Sequence, residues 1–416
     1  MPSTQSNLAP AFRKTTETFS AGAKSLAQRY FVSPEIFAQE QSKIFSEQWI
    51  LVGHQSQIPK EGDYFIAEVA GESLIVVRPR SQQRYGAASD QGSTTEPAGA
   101  ERHGRAARSV NERDATQSIR GFYNVCRHRG TRLREDPGGH VSAIQCPYHA
   151  WTYGLDGRLI GAPHMDGVPG FDKADYSLHP VNLGLWAGFI FANLASASTS
   201  RSDRDCMSLG ELFAPLAGKS PNLPKLRSAK RIDYNVQANW KLIFENYSEC
   251  YHCPGVHPTL SKLSPYDSAE NDLTEGPFLG GFMRITKGNS LTMSGKSCAL
   301  PIGDFRDFDR IFYYSIFPNM LLSLHPDYVM VHQLRPLSPD RTLILCDWFF
   351  NPEAFEREDF KPEDAIEFWD MTNKQDWHVC ELSQQGVASR AYEPGPYSPR
   401  ESIPAAWDRY YLRFIN

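Results

Sequence analysis

Four residues in the first half of this chain carry the ligands for electron-transfer chemistry. Cys126-Arg-His128 and, after 17 intervening residues, Cys146-Pro-Tyr-His149 offer two thiolates and two imidazoles. One use for them is a tetrahedral zinc site with a Cys2His2 shell. The other is a [2Fe-2S] cluster in which two thiolates bind one iron and two neutral imidazoles the other, a set that lifts the potential above that of an all-cysteine cluster. Zinc ligands usually group like with like, whereas here each loop supplies one Cys and one His. Two mixed loops suit two irons, so the chain is expected to move electrons.

A second constellation follows. Asn239-Trp-Lys-Leu-Ile-Phe-Glu245-Asn246-Tyr-Ser-Glu249-Cys-Tyr-His252-Cys-Pro254-Gly-Val-His257-Pro258 reads as a helix broken at Pro254, because proline disfavours helix in the residue before it. Trp240, Phe244, Tyr247 and Tyr251 form its apolar stripe, and Glu245, Glu249 and His252 fall within about 60° of one another on another face. Two histidines and a carboxylate make the facial triad of non-haem Fe(II) oxygenases, which leaves positions open for O2. His252 and His257 could supply both imidazoles. A lone pair of this kind is more often packed core, but a cluster needs an acceptor for its electrons. For the third ligand the helix expected near 362–385 offers Asp370, Asp376 and Glu381. Asp376 shares a face with Trp369, Asn373 and Cys380, whereas Asp370 is turned away by about 120°, and a carboxylate on an inward face needs a partner. His378 lies on another face and reads as structural. Cys250 and Cys253 form a C-x-x-C, expected to pack in a helix rather than to do thiol redox chemistry.

Phe122-Tyr-Asn-Val-Cys126-Arg-His128-Arg-Gly130 and Cys146-Pro-Tyr-His149-Ala-Trp151 resemble the Rieske domain of ring-hydroxylating oxygenases. The extra loop cysteines of the respiratory type are replaced here by other residues. Glu245-Asn246-x-x-Glu249-x-x-His252-x4-His257-Pro258 and Asn373-Lys-Gln-Asp376-Trp-His-Val-Cys380 resemble the iron-binding segments of the same family, the Rieske non-haem iron oxygenase α-subunits. The resemblance runs from about residue 28 to 416, with 81–118 as the main departure. It implies that Cys126, His128, Cys146 and His149 hold the cluster and that His252, His257 and Asp376 hold a mononuclear Fe(II). Glu249, where many members have Asp, would link that iron to a Rieske histidine, His149, of a neighbouring subunit, with Asn246 in the same electron and proton path. The resemblance also implies electrons from NAD(P)H through a ferredoxin or flavin reductase, O2 as co-substrate, and a homotrimer without a β-subunit. Within the family the His252 segment resembles the branch of choline, carnitine and glycine-betaine monooxygenases, so the expected substrate is an N-methyl or quaternary ammonium compound. The alternatives are hydroxylation of an aromatic acid or ring and, from another class, an electron carrier or redox sensor without oxygenase activity.

Elements must bring these residues together. The 416 residues are 41% hydrophobic and 22% charged, an ordinary globular composition with room for two cores. A net charge of -5 without basic clusters argues against nucleic acid as a partner, and no apolar run reaches the ~20 residues a membrane span requires. Eight cysteines, two of them in a cluster, suit a reducing compartment rather than a disulfide framework, so cytoplasm is expected; residues 1–28 only faintly resemble an organelle transit peptide. The expected fold is α+β. Residues 1–44 form an extension and a helix capped by Ser33, 45–165 a small all-β Rieske domain, and 166–416 a catalytic domain in which an antiparallel sheet grips a long helix. Within the second, 81–118 is too polar to offset its ordering entropy and is expected as a surface insertion.

Overall fold

From Arg310 to Phe350 the chain is dominated by apolar and aromatic runs separated by short turns, and it folds as antiparallel strands of one sheet. The computed structural model describes residues 12–79, 119–195, 207–217, 222–302 and 308–415; the expected insertion at 81–118 lies outside them. Two compact units emerge, one of Met1–Ser56, Glu68–Glu72 and Trp186–Asn416, the other of Gln57–Ala67 and Ser73–Leu185.

The larger unit carries an eight-stranded sheet. Its strands run in the order Arg13–Lys14, Glu270–Leu273, Phe278–Arg284, Arg310–Ile316, Met320–Leu324, Val329–Ser338, Arg341–Phe350 and Arg227–Val236, each antiparallel to its neighbour. Strand Met320–Leu324 and most of Val329–Ser338 and Arg341–Phe350 are buried along their length rather than on alternate residues, which means that both faces are covered. Part of the cover is the helix Glu363–Val387. Glu363 and Asp364 in its first turn oppose the positive end of the helix dipole. Its buried residues Phe368, Trp369, Thr372, Asn373, Trp377, Cys380, Gln384 and Val387 repeat at helical spacing. The helix Trp240–Tyr247, capped by the Asn239 side chain, packs against this long helix and against the last helix, Ser402–Ile415.

A buried ionic group anchors that packing. The Ser33-capped helix Pro34–Glu40 delivers Glu40, fully buried, to Trp240 Nε1 (2.9 Å), Lys241 Nζ (2.5 Å) and the Tyr411 hydroxyl (2.6 Å). Every donor facing this carboxylate is satisfied by it, and such a pair is costly to break from one side, about 3–5 kcal/mol.

Helix Trp240–Tyr247 is shorter than the sequence suggests. It ends seven residues before Pro254 because side chains take over the backbone's hydrogen bonds. The Ser248 hydroxyl donates to Phe244 O (2.6 Å) and meets the Ser315 hydroxyl (2.7 Å), while the Glu249 carboxylate accepts from the Tyr251 and His252 amides. Glu245, Glu249 and His252 therefore do not share one helix face, and Tyr251 is exposed instead of completing an apolar stripe. A short helix, Cys253–Val256, and another, Pro258–Leu263, follow.

The smaller unit is all-β. Strands Asp63–Val69, Glu72–Val77, Arg120–Tyr123, Gly138–His140 and Pro180–Trp186 form one sheet, and Ile144–Gln145, Thr152–Tyr153 and Leu159–Gly161 a second. Tyr64, Ile75, Val77, Phe122, Trp151, Tyr153 and Leu159 pack between them with both loop cysteines. Gly157, at φ +87°, lies where a Cβ would fall 2.4 Å from the Phe122 ring. Only glycine fits that turn.

Candidate functional site

The two Cys-His loops are built alike. In each, the cysteine amide donates to the carbonyl five residues on (Cys126 to Thr131, Cys146 to Trp151, both 2.8 Å), and the amide four residues on returns to the cysteine carbonyl (Gly130, 3.0 Å; Ala150, 3.1 Å). The residue making the return bond has positive φ in both, Gly130 at 75° and Ala150 at 56°. Each turn buries its cysteine and leaves its histidine exposed. The His128 and His149 rings come within 4.8 Å of each other, Trp151 stacks on His128 and Tyr148 on His149. The Tyr153 hydroxyl lies 3.4 Å from Cys126 Sγ. Two buried sulfurs and two paired, exposed imidazoles fit a [2Fe-2S] cluster with divided ligation.

In the larger unit three side chains converge from two segments. One Asp376 carboxylate oxygen, on the long helix, lies 2.8 Å from His257 Nε2 and 3.2 Å from His252 Nε2. The other nitrogen of each ring is held from behind, His252 Nδ1 by Glu249 and His257 Nδ1 by Gln375 Oε1 at 2.8 Å. Outer partners of this kind fix ring orientation and tautomer in metal sites. Burial lowers the pKa of His252, but its bonds to Asp376 and Glu249 outweigh that and raise it to about 10. Burial raises Asp376, yet the two histidines bring it below the usual carboxylate range. A largely buried group this rich in carboxylate demands a cation, and two Nε2 atoms plus a carboxylate oxygen fit a facial Fe(II) triad.

The alternative carboxylates are engaged elsewhere. Asp370 accepts from the Tyr234 hydroxyl (2.8 Å) and Lys374 (2.6 Å), Glu381 from the Gln237 amide (3.0 Å), and His378 is exposed. Asn246 lies in the last turn of the Trp240–Tyr247 helix and lines the same cavity as the three converging groups. Cys250 and Cys253 depart from expectation: they are joined in a disulfide, because the helix ends before Cys250 and the turn brings the two sulfurs together. Cys253 Sγ lies 3.9 Å from His252 Nε2, and His252, Cys253 and His257 together have ligand spacing. Tied into a disulfide, that sulfur offers no thiolate.

The cavity beside His252, His257 and Asp376 has a volume of about 230 Å³. Tyr247, Tyr313 and Trp369 line it, set steeply to one another at centroid distances of 6.2 and 6.3 Å. The polar ends of two of them are occupied, the Tyr247 hydroxyl by Ser323 (2.8 Å) and Trp369 Nε1 by Tyr328 (2.6 Å). Burial keeps the Tyr247 and Tyr313 phenols neutral. Sequence reasoning missed Gln375, whose only signal is its place beside Asp376. It placed Tyr247 on an apolar stripe and Trp369 on the face of Asp376 without assigning either to the cavity.

Residues 48–172 match the family described as Rieske [2Fe-2S] domain, and residues 223–416 match Ring hydroxylating alpha subunit (catalytic domain). The glycine betaine monooxygenase oxygenase subunit of Chromohalobacter salexigens is 31% identical over 91% of this chain and 82% of its own length. The carnitine monooxygenase oxygenase subunit of Escherichia coli K12 is 30% identical, covering 93% of this chain and 91% of its own. Among solved structures, a quaternary ammonium Rieske monooxygenase in complex with L-carnitine superposes with a TM-score of 0.69 at 25% identity, over 96% of this chain and 99% of that one. Naphthalene 1,2-dioxygenase from Rhodococcus sp., at 19% identity and a TM-score of 0.66 over 94% of each chain, shares the fold. The chain belongs to the Rieske non-haem iron oxygenase α-subunits, oxidoreductases that carry a [2Fe-2S] cluster and a mononuclear iron.

Proposed function

We propose that this chain is the terminal oxygenase of a monooxygenase system that acts on a quaternary ammonium compound and draws its electrons from NAD(P)H through a reductase. The observation that carries this reading is the convergence of His252, His257 and Asp376 on a cavity walled by Tyr247, Tyr313 and Trp369. It stands in a chain about as similar to glycine betaine as to carnitine monooxygenase subunits. Aromatic faces attract a trimethylammonium head through the ring quadrupole, an interaction that strengthens where water is excluded.

Under this reading Cys126, Cys146, His128 and His149 hold the cluster, and His252, His257 and Asp376 hold the mononuclear iron. When bound, the two centres supply stored electrons and a site for O2. The protein's share is orientation. Glu249 and Gln375 each hold the Nδ1 side of one histidine, which turns Nε2 toward the common point. Asp376 supplies the negative charge, and the aromatic walls keep the N-methyl carbon close while excluding water. Glu249 with Asn246 forms the electron and proton link to His149 of the partner subunit in a homotrimer, and the enzyme works in the cytoplasm.

The test is product analysis with a surrogate reductase on glycine betaine, carnitine, choline and benzoate. Oxidation of the carbon beside the ammonium nitrogen, stoichiometric with NADH and O2, is expected. Turnover confined to benzoate would overturn the substrate class.

A further inference from the structure

The cavity that holds the three converging groups carries one cation with no evident use. Arg400 lines it, with its guanidinium carbon 4.8 Å from the centroid of Tyr266, another lining residue. Among the described residues no carboxylate lies within ion-pair distance of that guanidinium. The other basic lining residue, Lys14, is committed to Glu270 at 3.3 Å. Of the cavity's carboxylates, Glu249 and Asp376 are likewise committed, to His252 and His257, and the third, Asp267, lies outside ion-pair distance of Arg400.

The backbone beneath Arg400 is held in place. The turn Pro399–Glu401 is closed by a capping box in which the Ser398 hydroxyl accepts from the Arg400 amide (3.2 Å) and the Glu401 carboxylate accepts from the Ser398 amide (2.6 Å). A planar fork of donors on a fixed turn, stacked on a ring and lacking an anion, suits a carboxylate that arrives with the substrate.

We propose that Arg400 binds an anionic group of the substrate and makes this site selective for zwitterionic quaternary ammonium compounds, the betaines, over cations such as choline. The inference rests on the quaternary ammonium reading of the same cavity. A betaine satisfies both features of the cavity, its ammonium against the aromatic walls and its carboxylate on Arg400. Choline offers Arg400 only a hydroxyl and brings it an uncompensated positive charge.

The test is calorimetric binding of glycine betaine, carnitine and choline to the iron-loaded wild-type protein and to Arg400→Gln and Arg400→Lys, with KM and kcat measured alongside. Loss of one charge-assisted hydrogen-bonded contact should weaken betaine binding by about tenfold or more, with KM rising and kcat little changed. Choline binding should hold or strengthen in Arg400→Gln, which removes a like charge, and Arg400→Lys should recover part of the betaine loss. The visible spectrum of the cluster and bound iron report whether each variant is intact, and Arg400→Lys carries the test if Arg400→Gln does not fold. Wild-type protein that binds betaines no better than choline, or a variant that weakens all ligands equally or none, would overturn the role of Arg400 alone. Wild-type protein that binds no quaternary ammonium compound would overturn this inference together with the function proposed above.

Discussion

Asp376 illustrates how a residue's neighbours set its role. Three acidic side chains on one helix compete for one function, and two of them are occupied by Tyr234 with Lys374 and by the Gln237 amide. Only Asp376 faces both histidines. His252→Ala or Asp376→Ala should therefore lose the mononuclear iron and abolish turnover while the cluster spectrum persists. Cys146→Ser should bleach the cluster and leave the mononuclear site able to bind metal. Iron and sulfide analysis with visible spectroscopy checks both, and an Asp376→Ala protein that keeps its mononuclear iron would return Asp370 and Glu381 to consideration. At this scale the sequence was readable because ligand chemistry depends on residue type and spacing. Gln375 was not readable, since a neutral amide holding a histidine carries no spacing rule of its own.

At the scale of elements, long periodic segments were legible and the short connection between them was not. The 25-residue helix Glu363–Val387 and the strands around Ile311, Met320 and Leu343 could be read from periodicity and β-branched or aromatic runs. The break after Tyr247 could not, because it depends on Ser248 meeting Ser315, 67 residues away. Within the helix that precedes the break, Glu245 faces the last helix and shares a buried hydrogen bond with Asp408. Glu245 Oε1 and Asp408 Oδ1 have no ordinary donor, so the two carboxyls require a shared proton. Burial raises both, Asp408 to about 7, against the opposing pull of Tyr397, Lys241 and Arg409. A carboxyl whose folded pKa is raised adds stability that is fully present below its unfolded value, here 3.8, and lost as pH rises through about 7. Melting temperature should thus decline between those limits in the wild type. Asp408→Asn, which keeps an acceptor for the Tyr397 hydroxyl and gains a donor for Glu245, should flatten that decline by an amount on the order of 1–2 kcal/mol. Identical pH profiles for the two proteins would show that the pair carries no shared proton.

For the whole molecule, each unit carries one set of candidate ligands, so electrons must pass from one to the other. Coupling through Glu249 across a subunit boundary can be tested by mixing defects. A Cys146→Ser chain lacks a cluster but keeps its iron site and Glu249, whereas a Glu249→Gln chain keeps its cluster. Co-expressed, they should regain part of the activity that neither has alone, since one intact path runs from the second chain to the first. Mixed assemblies that form and remain inactive would place electron flow within a single chain.

The contact between His257 and Asp376 joins positions 119 residues apart. A cation held there is a clasp as well as a reagent: it closes a long loop of chain and pins the stretch Ser248–Val256 to the helix Glu363–Val387. Clasps of this kind stabilise the folded state by an amount that grows with the logarithm of the free metal concentration over its Kd. Metal scarcity should then shorten the protein's lifetime as well as stop its chemistry. Chelation at neutral pH should make that stretch the earliest site of proteolysis, with Fe(II) restoring protection and Asp376→Ala protein cut there with or without metal; equal cutting rates for chelated and loaded wild-type protein would show that the clasp bears no load.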